Sequence, residues 1–333
     1  MTVTSVGDLA QSFVLRNQSA VLKQEIQTLS SEIITGIAAD QAAALAGDFV
    51  PIAALEASLA QLAAFKSTTS ELALFATAMQ NAMETLDGSA SDLSQSLLAA
   101  STSPSPTQID AAGFDAQQRF EQAVSILNTR FGDRSLFAGM ATNGAALVSA
   151  DTIFAALDVE IAGAVTAGDI VTAISSWFDS PTGFAAVAYL GAGALAPLPI
   201  APGESAQIDV TALDPALVAT LKGLALGAML NRGVLPGDLV GRQQLARASA
   251  ESLIQTQTDR ALLAARLGTT EAQIGTAAIR NQAETTSLGL ARLDLLGLDP
   301  YETASKLEER QSQLELLYAI TARMSRLSLV NYL

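Results

Sequence analysis

The chain has 333 residues, half of them hydrophobic, with a net charge of -15 and a sequence pI near 4.3. With 18 basic residues against 33 acidic ones, it presents no cationic cluster to phosphates, which excludes nucleic acid and an anionic membrane surface as partners. Cysteine and histidine are both absent, which removes disulfides, thiolate chemistry, imidazole triads and imidazole metal ligands, so no catalytic, cofactor or metal site is expected.

The N-terminal stretch has neither a basic segment nor a long apolar block, so no cleavable secretion signal is expected. The length predicts two to three domains. Alanine and leucine supply most of the apolar excess and aromatics are only 5%, which favours long, closely packed helices over one thick core. From Val6 the spacing predicts a helix. Val6, Leu9 and Phe13 open it, and Leu15, Leu22, Ile26, Leu29 and Ile33 continue at steps of seven, four, three and four. The drift between the two sets implies a helix contacted on more than one side, with Gly36 as its stop. Residues 39–48 are alanine-rich and show no clear pattern. Pro51 is expected to start a second helix, with Leu55, Leu59, Leu62, Leu72, Phe75, Met79, Met83 and Leu86 on its apolar side. Gly88 should break it, leaving a third helix over 93–100. The Ser/Thr/Pro run at 101–106 reads as a loop, and a fourth helix over 107–129 carries Phe120, Val124 and Leu127.

After Gly139 the texture changes, and 140–236 reads as a small mixed α+β insertion. Ser149 and Thr166 look like N-caps of short helices. Residues 184–190 and 207–210 read as strands around turn signals such as Pro202-Gly203. Asp214-Pro215 opens a helix with Leu217, Leu221 and Leu224 on one side. Asn231-Arg232-Gly233 and Pro236-Gly237 close the region. The longest uncharged stretch, 180–203, contains Pro181, Pro197 and Pro199 and argues against a membrane span. From 243 to 296 the pattern is helical again, with Gly268 a soft spot and Gly297 the end.

The last stretch, 299–333, starts with a capping Asp299, Pro300 in the first turn and Glu302 placed to complete a box. Leu307, Leu314, Leu317, Ile320, Met324 and Leu327 form a stripe narrow enough for a coiled-coil seam. Leu329, Val330, Tyr332 and Leu333 continue it to the last residue. Ends this apolar call for a partner, either the other end of the chain or another subunit. The expected fold is mainly α: a long antiparallel helical bundle or coiled coil from both termini with the small mixed insertion. The parts are 1–139, 140–236 and 237–333.

Little in the chain suggests chemistry. Gly191-Ala192-Gly193-Ala194-Leu195-Ala196 spells G-x-G-x-x-A, but Pro197 and Pro199 forbid the helix a dinucleotide site requires. Glu308-Glu309 and the pair Asp209, Asp214 are the nearest approach to paired carboxylates. A glycosidase needs two of them facing across about 5–9 Å, and adjacent glutamates on a helix diverge; Glu309 and Glu315 read as a solvated face. Asn17-Gln18-Ser19 is a chance sequon inside a helix. Trp177-Phe178 could line a pocket but fits a core anchor better.

Three places resemble the bacterial flagellin superfamily and, within it, the hook-filament junction family of hook-associated protein 3. Leu29-Ser30-Ser31-Glu32-Ile33-Ile34-Thr35-Gly36 is similar to the "L-S-T-G" end of the family's first helix. Leu127-Asn128-Thr129 through Gly132 to Leu136-Phe137-Ala138-Gly139 resembles its "L-A-N … G-R-Y-L-F-A-G" signature. The segment from Arg323 and Met324 to Tyr332 and Leu333 is similar to its "R-V-S-x-L-S-L-L-D-Y-L" terminus. The acidic turn that the family carries after "T-G" is replaced here by Ile37-Ala38-Ala39-Asp40-Gln41. The likeness covers about 1–140 and 238–333. It implies a structural protein whose paired terminal helices line a tube, with 140–236 as an outer domain. Such a subunit would self-assemble as a ring or helical layer beside other hook-associated protein and flagellin subunits. It would be exported, with an export chaperone and no cleaved signal, to the flagellum outside the cell. The assembly interface is then expected at Val6, Leu9, Phe13, Leu22, Ile26, Leu29, Ile33, Leu317, Ile320, Met324, Leu327, Leu329, Tyr332 and Leu333. Asn128 and Leu136, Phe137, Ala138 and Gly139 are the signature. A filament-forming flagellin is the alternative; an enzyme with a carboxylate-only site in the insertion is a weaker one.

Overall fold

The computed structural model describes the backbone of residues 6–330, and their side chains apart from those of 6–9, 11, 12 and 325–330. The chain is mainly α, with short antiparallel strand pairs in its middle. It divides into two compact units, residues 1–63 with 282–333, and residues 64–281.

In the first unit α1 (Val6–Thr35) packs against α11 (Pro300–Val330). The pairing is antiparallel: Arg310 meets Glu25 at 3.0 Å, and Lys23, two residues earlier, lies 5.7 Å from the ring of Tyr318, eight residues later. Gly36 ends α1 as expected, with φ +68°, a left-handed conformation that glycine adopts without penalty. An antiparallel bridge between Ile37 and Gly297 follows. There the Ala38 N–H donates to the Leu296 carbonyl at 2.9 Å and the Leu298 N–H to the Gly36 carbonyl at 3.2 Å. Residues 39–48 hold one helical turn, α2 (Gln41–Ala44), capped by Asp40, whose carboxylate accepts from the Ala43 N–H at 3.0 Å. At α11 the Asp299 carboxylate accepts from the Tyr301 N–H at 2.8 Å, the expected cap. The carboxylate of Glu302 pairs forward with Lys306 at 2.7 Å.

α3 (Val50–Thr102) and α10 (Gln257–Leu296) contribute residues to both units. The break expected at Gly88 is absent, and the second and third expected helices are one. A glycine inside a helix costs about 1 kcal/mol, whereas each buried leucine contributes about 1.5–3 kcal/mol. Leu86, Leu93 and Leu97 beside Gly88 are all buried, so packing outweighs propensity.

The second unit continues through α4 (Pro106–Leu127) and a hairpin of β1 (Arg130–Phe131) and β2 (Arg134–Ser135), turning at Gly132. Next come α5 (Ala150–Glu160) and α6 (Ala167–Asp179). Ser149 caps α5, and Thr166 caps α6 through a full box with Asp169. The strands expected at 184–190 and 207–210 are not there. Phe184 opens a helical turn, α7 (Phe184–Val187), stacked on Phe178 at 5.1 Å, and 207–210 is unpaired. The strands are instead β3 (Leu198–Ala201) and β4 (Glu204–Ala206), on either side of Pro202-Gly203. The turn was legible; the residues immediately flanking it, rather than more distant ones, form the ladder. α8 (Pro215–Ala228) packs against α4, α6 and α9 (Leu239–Gln255). Close approach explains its glycines: a side-chain carbon at Gly227 would lie 2.9 Å from both Ala116 and Ser249. The run expected from 243 to 296 begins earlier, at Leu239, and breaks at Thr256, while Gly268 lies within continuous helix. At the break Arg260 donates to the Leu253 carbonyl at 3.2 Å and the Thr256 hydroxyl at 2.9 Å, and its Nε pairs with Asp87 at 2.6 Å.

One core runs from Leu72 through Phe120, Phe154, Trp177, Leu221 and Leu253 to Ala277. Residues 140–236 therefore bury their apolar side chains together with α3, α4 and α9. No helix among the described residues is long and apolar enough to cross a membrane.

Candidate assembly surface and signature junction

The terminal pair does not bury its own apolar side chains. Leu22, Ile26, Leu29, Leu317 and Met324 are half-buried in the seam between α1 and α11. Phe13 is 72% exposed, Ile320 43% and Ile33 38%. Val14, Val21 and Ile34 on α1, with Tyr301, Leu316 and Tyr318 on α11, are exposed as well. Among the described residues no α1 side chain is buried, and Thr303 is the one that is on α11. Two helices share a single seam, whereas these apolar residues drift around the helix as the uneven spacing implied. Of the other expected interface residues, Val6, Leu9, Leu327 and Leu329 have side chains outside the described set, and Tyr332 and Leu333 lie outside the described residues. A trough of about 440 Å³ along the pair is lined by Val21, Gln24, Leu29, Lys306 and Glu309. The hydrogen bond from Lys306 to Glu302 raises the Lys306 pKa above its ordinary value.

The signature residues meet elsewhere, in the second unit. Asn128 ends α4, and its amide is used at both ends: it donates to the Leu147 carbonyl at 3.0 Å and accepts from the Leu147 N–H at 2.8 Å. Leu136, Phe137 and Ala138 are buried. Their carbonyls hold two later segments: Phe137 accepts from the Ala212 N–H, and Ala138 from the Ala192 N–H, each at 2.9 Å. Gly139 has φ +60°, and any side chain there would collide with the Ala192 and Gly193 carbonyls. The Met140 N–H donates to Gly193 at 2.9 Å. Thus the G-x-G-x-x-A stretch is an open loop whose Ala192 N–H and Gly193 carbonyl bond to Ala138 and Met140, and no helix starts there to receive a phosphate. Tyr189 completes the junction, its hydroxyl donating to the Ala192 carbonyl at 2.7 Å, and burial raises its pKa. Nothing in the spacing of Tyr189 marked it, because its partner is a backbone carbonyl.

Asp209, Asp214, Glu309 and Trp177, which could have carried chemistry, each make a contact within the chain. Asp209 and Asp214 both face Arg266, at 3.7 and 2.7 Å, and Asp214 also caps α8. Glu309 accepts from Gln313 at 3.0 Å on an exposed face. Trp177 packs edge-on to Phe178 and Phe184 at 5.1 and 6.0 Å, a core anchor. Among the described residues no group of three or more His, Cys, Asp or Glu could hold a metal ion. A cavity of about 380 Å³ lies beside Gln80, Glu84 and Asp87, where the Arg260 guanidinium is engaged by Asp87.

No known protein-family model matches the chain, and no curated protein matches it. Solved structures do match its fold. One is a protein of Vibrio parahaemolyticus provisionally described as a flagellar hook-associated protein. It has a TM-score of 0.55 and 14% identity, over 75% of this chain and 99% of that one. Another is FlgL of Bacillus cereus, with a TM-score of 0.52 and 14% identity, over 72% of this chain and 100% of that one. The chain thus shares the fold of these two structures, and the likeness spans essentially the whole of both neighbours.

Proposed function

We propose that the chain is a structural subunit of the bacterial flagellum, an adaptor that joins hook to filament by self-assembly of its paired terminal helices. The observation that carries this reading is the antiparallel α1–α11 pair, which leaves Phe13, Ile33 and Ile320 exposed in the lone chain. Covering a large apolar side chain is worth about 1.5–3 kcal/mol, so a neighbouring copy that buries several of them gains enough to offset the ordering of both helices. The fold likeness to flagellar hook-associated proteins supports the same reading. The interface comprises Val6, Leu9, Phe13, Leu22, Ile26, Leu29 and Ile33 from one end and Leu317, Ile320, Met324, Leu327, Leu329, Tyr332 and Leu333 from the other. Residues 140–236 form the outer part of the subunit. Neighbouring hook-associated protein and flagellin subunits are its partners in the layer, and an export chaperone meets it before export to the outside of the cell. No catalytic step is assigned to it.

Electron microscopy of cells lacking the protein tests the role. Hooks without filaments are expected. Normal filaments would overturn the adaptor reading, and hooks that keep a short normal junction but lose only the filament material would make the chain a flagellin.

A further inference from the structure

We infer that Asn143 is a site of spontaneous deamidation, which gives the chain a chemical clock in the loop between β2 and α5. The reaction needs three conditions that the structure supplies together. The attacking group is the backbone nitrogen of the next residue, so that residue must be small; Asn143 is followed by Gly144. The nitrogen must be free, and among the described residues the Gly144 N–H donates no hydrogen bond. The amide must be able to swing onto it. Asn143 and Gly144 are both exposed, the Asn143 amide only accepts from the Thr142 hydroxyl at 3.4 Å, and nothing lies within 4 Å of where a Gly144 side chain would be.

In the reaction the Gly144 nitrogen loses its proton and forms a bond to Cγ of Asn143. The bond from Cγ to the side-chain nitrogen breaks, and ammonia leaves with that proton. Water then opens the five-membered ring at either carbonyl, giving aspartate or its β-linked isomer. One water is consumed, one ammonia is released, and nothing is oxidised or reduced. The product carries one more negative charge. In the isomer the backbone between Thr142 and Ala146 gains a methylene. Both of those residues are held, Thr142 by the Ser135 N–H and Ala146 by the Leu190 N–H, each at 2.8 Å. The exposed residues between them take up the added length.

Each of the other asparagines lacks at least one of these conditions; Asn331, outside the described residues, is followed by the bulky Tyr332. Asn17, Asn81 and Asn281 lie inside α1, α3 and α10, where the following nitrogen belongs to a helix. The Asn128 amide is held at both ends by Leu147. Asn231 donates to Gln117 at 2.7 Å and is followed by Arg232.

The test is to hold the purified full-length protein in mildly alkaline buffer, digest samples over time and follow each asparagine peptide by mass spectrometry. The peptide containing Asn143 is expected to gain the amide-to-acid mass shift well before those containing Asn81 or Asn231. Gly144→Ala is expected to slow the shift. That variant should fold, since Gly144 lacks a left-handed φ and its surroundings are open, and its circular dichroism checks this. Conversion of Asn143 no faster than the helical asparagines, or at an unchanged rate in folded Gly144→Ala, would overturn the inference.

Discussion

The terminal helix pair and the second unit are both built from alanine- and leucine-rich helices, yet they use their apolar residues in opposite ways. In the second unit Phe120, Phe137, Phe154 and Phe184 are all essentially inaccessible to solvent, and α8 is enclosed by α4, α6 and α9. In the terminal pair Leu22, Ile26 and Leu29 reach only half burial, and Phe13 stands in solvent. The difference is one of layers. A helix with neighbours on several sides can bury a wide apolar face, whereas a helix with one neighbour can bury only a seam. The stability of the lone chain therefore resides in the second unit, and the apolar surface left over in the pair is available for association.

The sharpest way to break that comparison is to delete one side chain from each region and follow urea unfolding of the monomer. Phe137→Ala removes a fully buried ring at the junction and is expected to cost about 3–5 kcal/mol. Leu22→Ala removes a half-buried side chain and is expected to cost about 1 kcal/mol or less, while the proposed assembly role predicts a large loss of incorporation. Equal losses of monomer stability would mean that the pair is a core in its own right.

A smaller effect is expected at the break between α9 and α10. The Arg260 side chain is 4% exposed, and Asp87, at 42%, is its counter-charge. Asp87→Ala leaves a buried guanidinium uncompensated and should cost about 2–3 kcal/mol by the same unfolding measurement. Combining it with Arg260→Met should recover much of that loss, because removing both charges also removes their desolvation. No recovery in the double variant would show that Arg260 matters chiefly through its bonds to Leu253 and Thr256.

The same contrasts explain what was legible in the sequence. Ends marked by local chemistry could be read directly: Gly36 after α1, Asp299 before α11, and the Ser149 and Thr166 caps. The antiparallel pairing of the ends followed from two stripes and a breaker-rich middle. Features decided by distant partners were not legible. Gly88 looks like a break, but Leu86 and Leu93 on either side of it are buried in the core. Thr256 looks like ordinary helix, and at the break Arg260 bonds to Leu253, Thr256 and Asp87, the last far away in sequence. The signature residues could be named without revealing their role, since the carbonyls of Phe137 and Ala138 find their donors in Ala212 and Ala192.

Gly88 offers a test of opposite sign. It sits in the interior of α3 with no atom within 4 Å of where a side chain would be. Gly88→Ala is therefore expected to stabilise the monomer by about 0.5–1 kcal/mol in urea unfolding, through helix propensity and a less mobile unfolded chain. A loss of stability would mean that the helix needs its glycine, for instance to bend.

The smallest effect expected is that of pH near neutrality, and its sign differs at the two extremes. The Asp169 carboxylate is held below its ordinary range, chiefly by the Thr166 hydroxyl and then by the Thr166 and Val165 N–H groups. Glu204 is lowered chiefly by its hydrogen bond from Arg280. A depressed carboxylate adds stability above its unfolded pKa, and that contribution is lost as pH falls through the folded value, which lies below the group's ordinary one. Lys306 is raised by its bond to Glu302, so its contribution is complete below the unfolded value and disappears as pH rises through the folded one, above the ordinary lysine range. With no histidine or cysteine in the chain, melting should be flat between about pH 6 and 9. Both depressed carboxylates belong to the second unit, while Lys306 belongs to the terminal pair. Hydrogen exchange at the acid edge should therefore show protection falling first around the α6 cap and the β3–β4 hairpin. Loss appearing first in α1 and α11 on acidification would contradict this assignment, and with it the division of labour between the two regions.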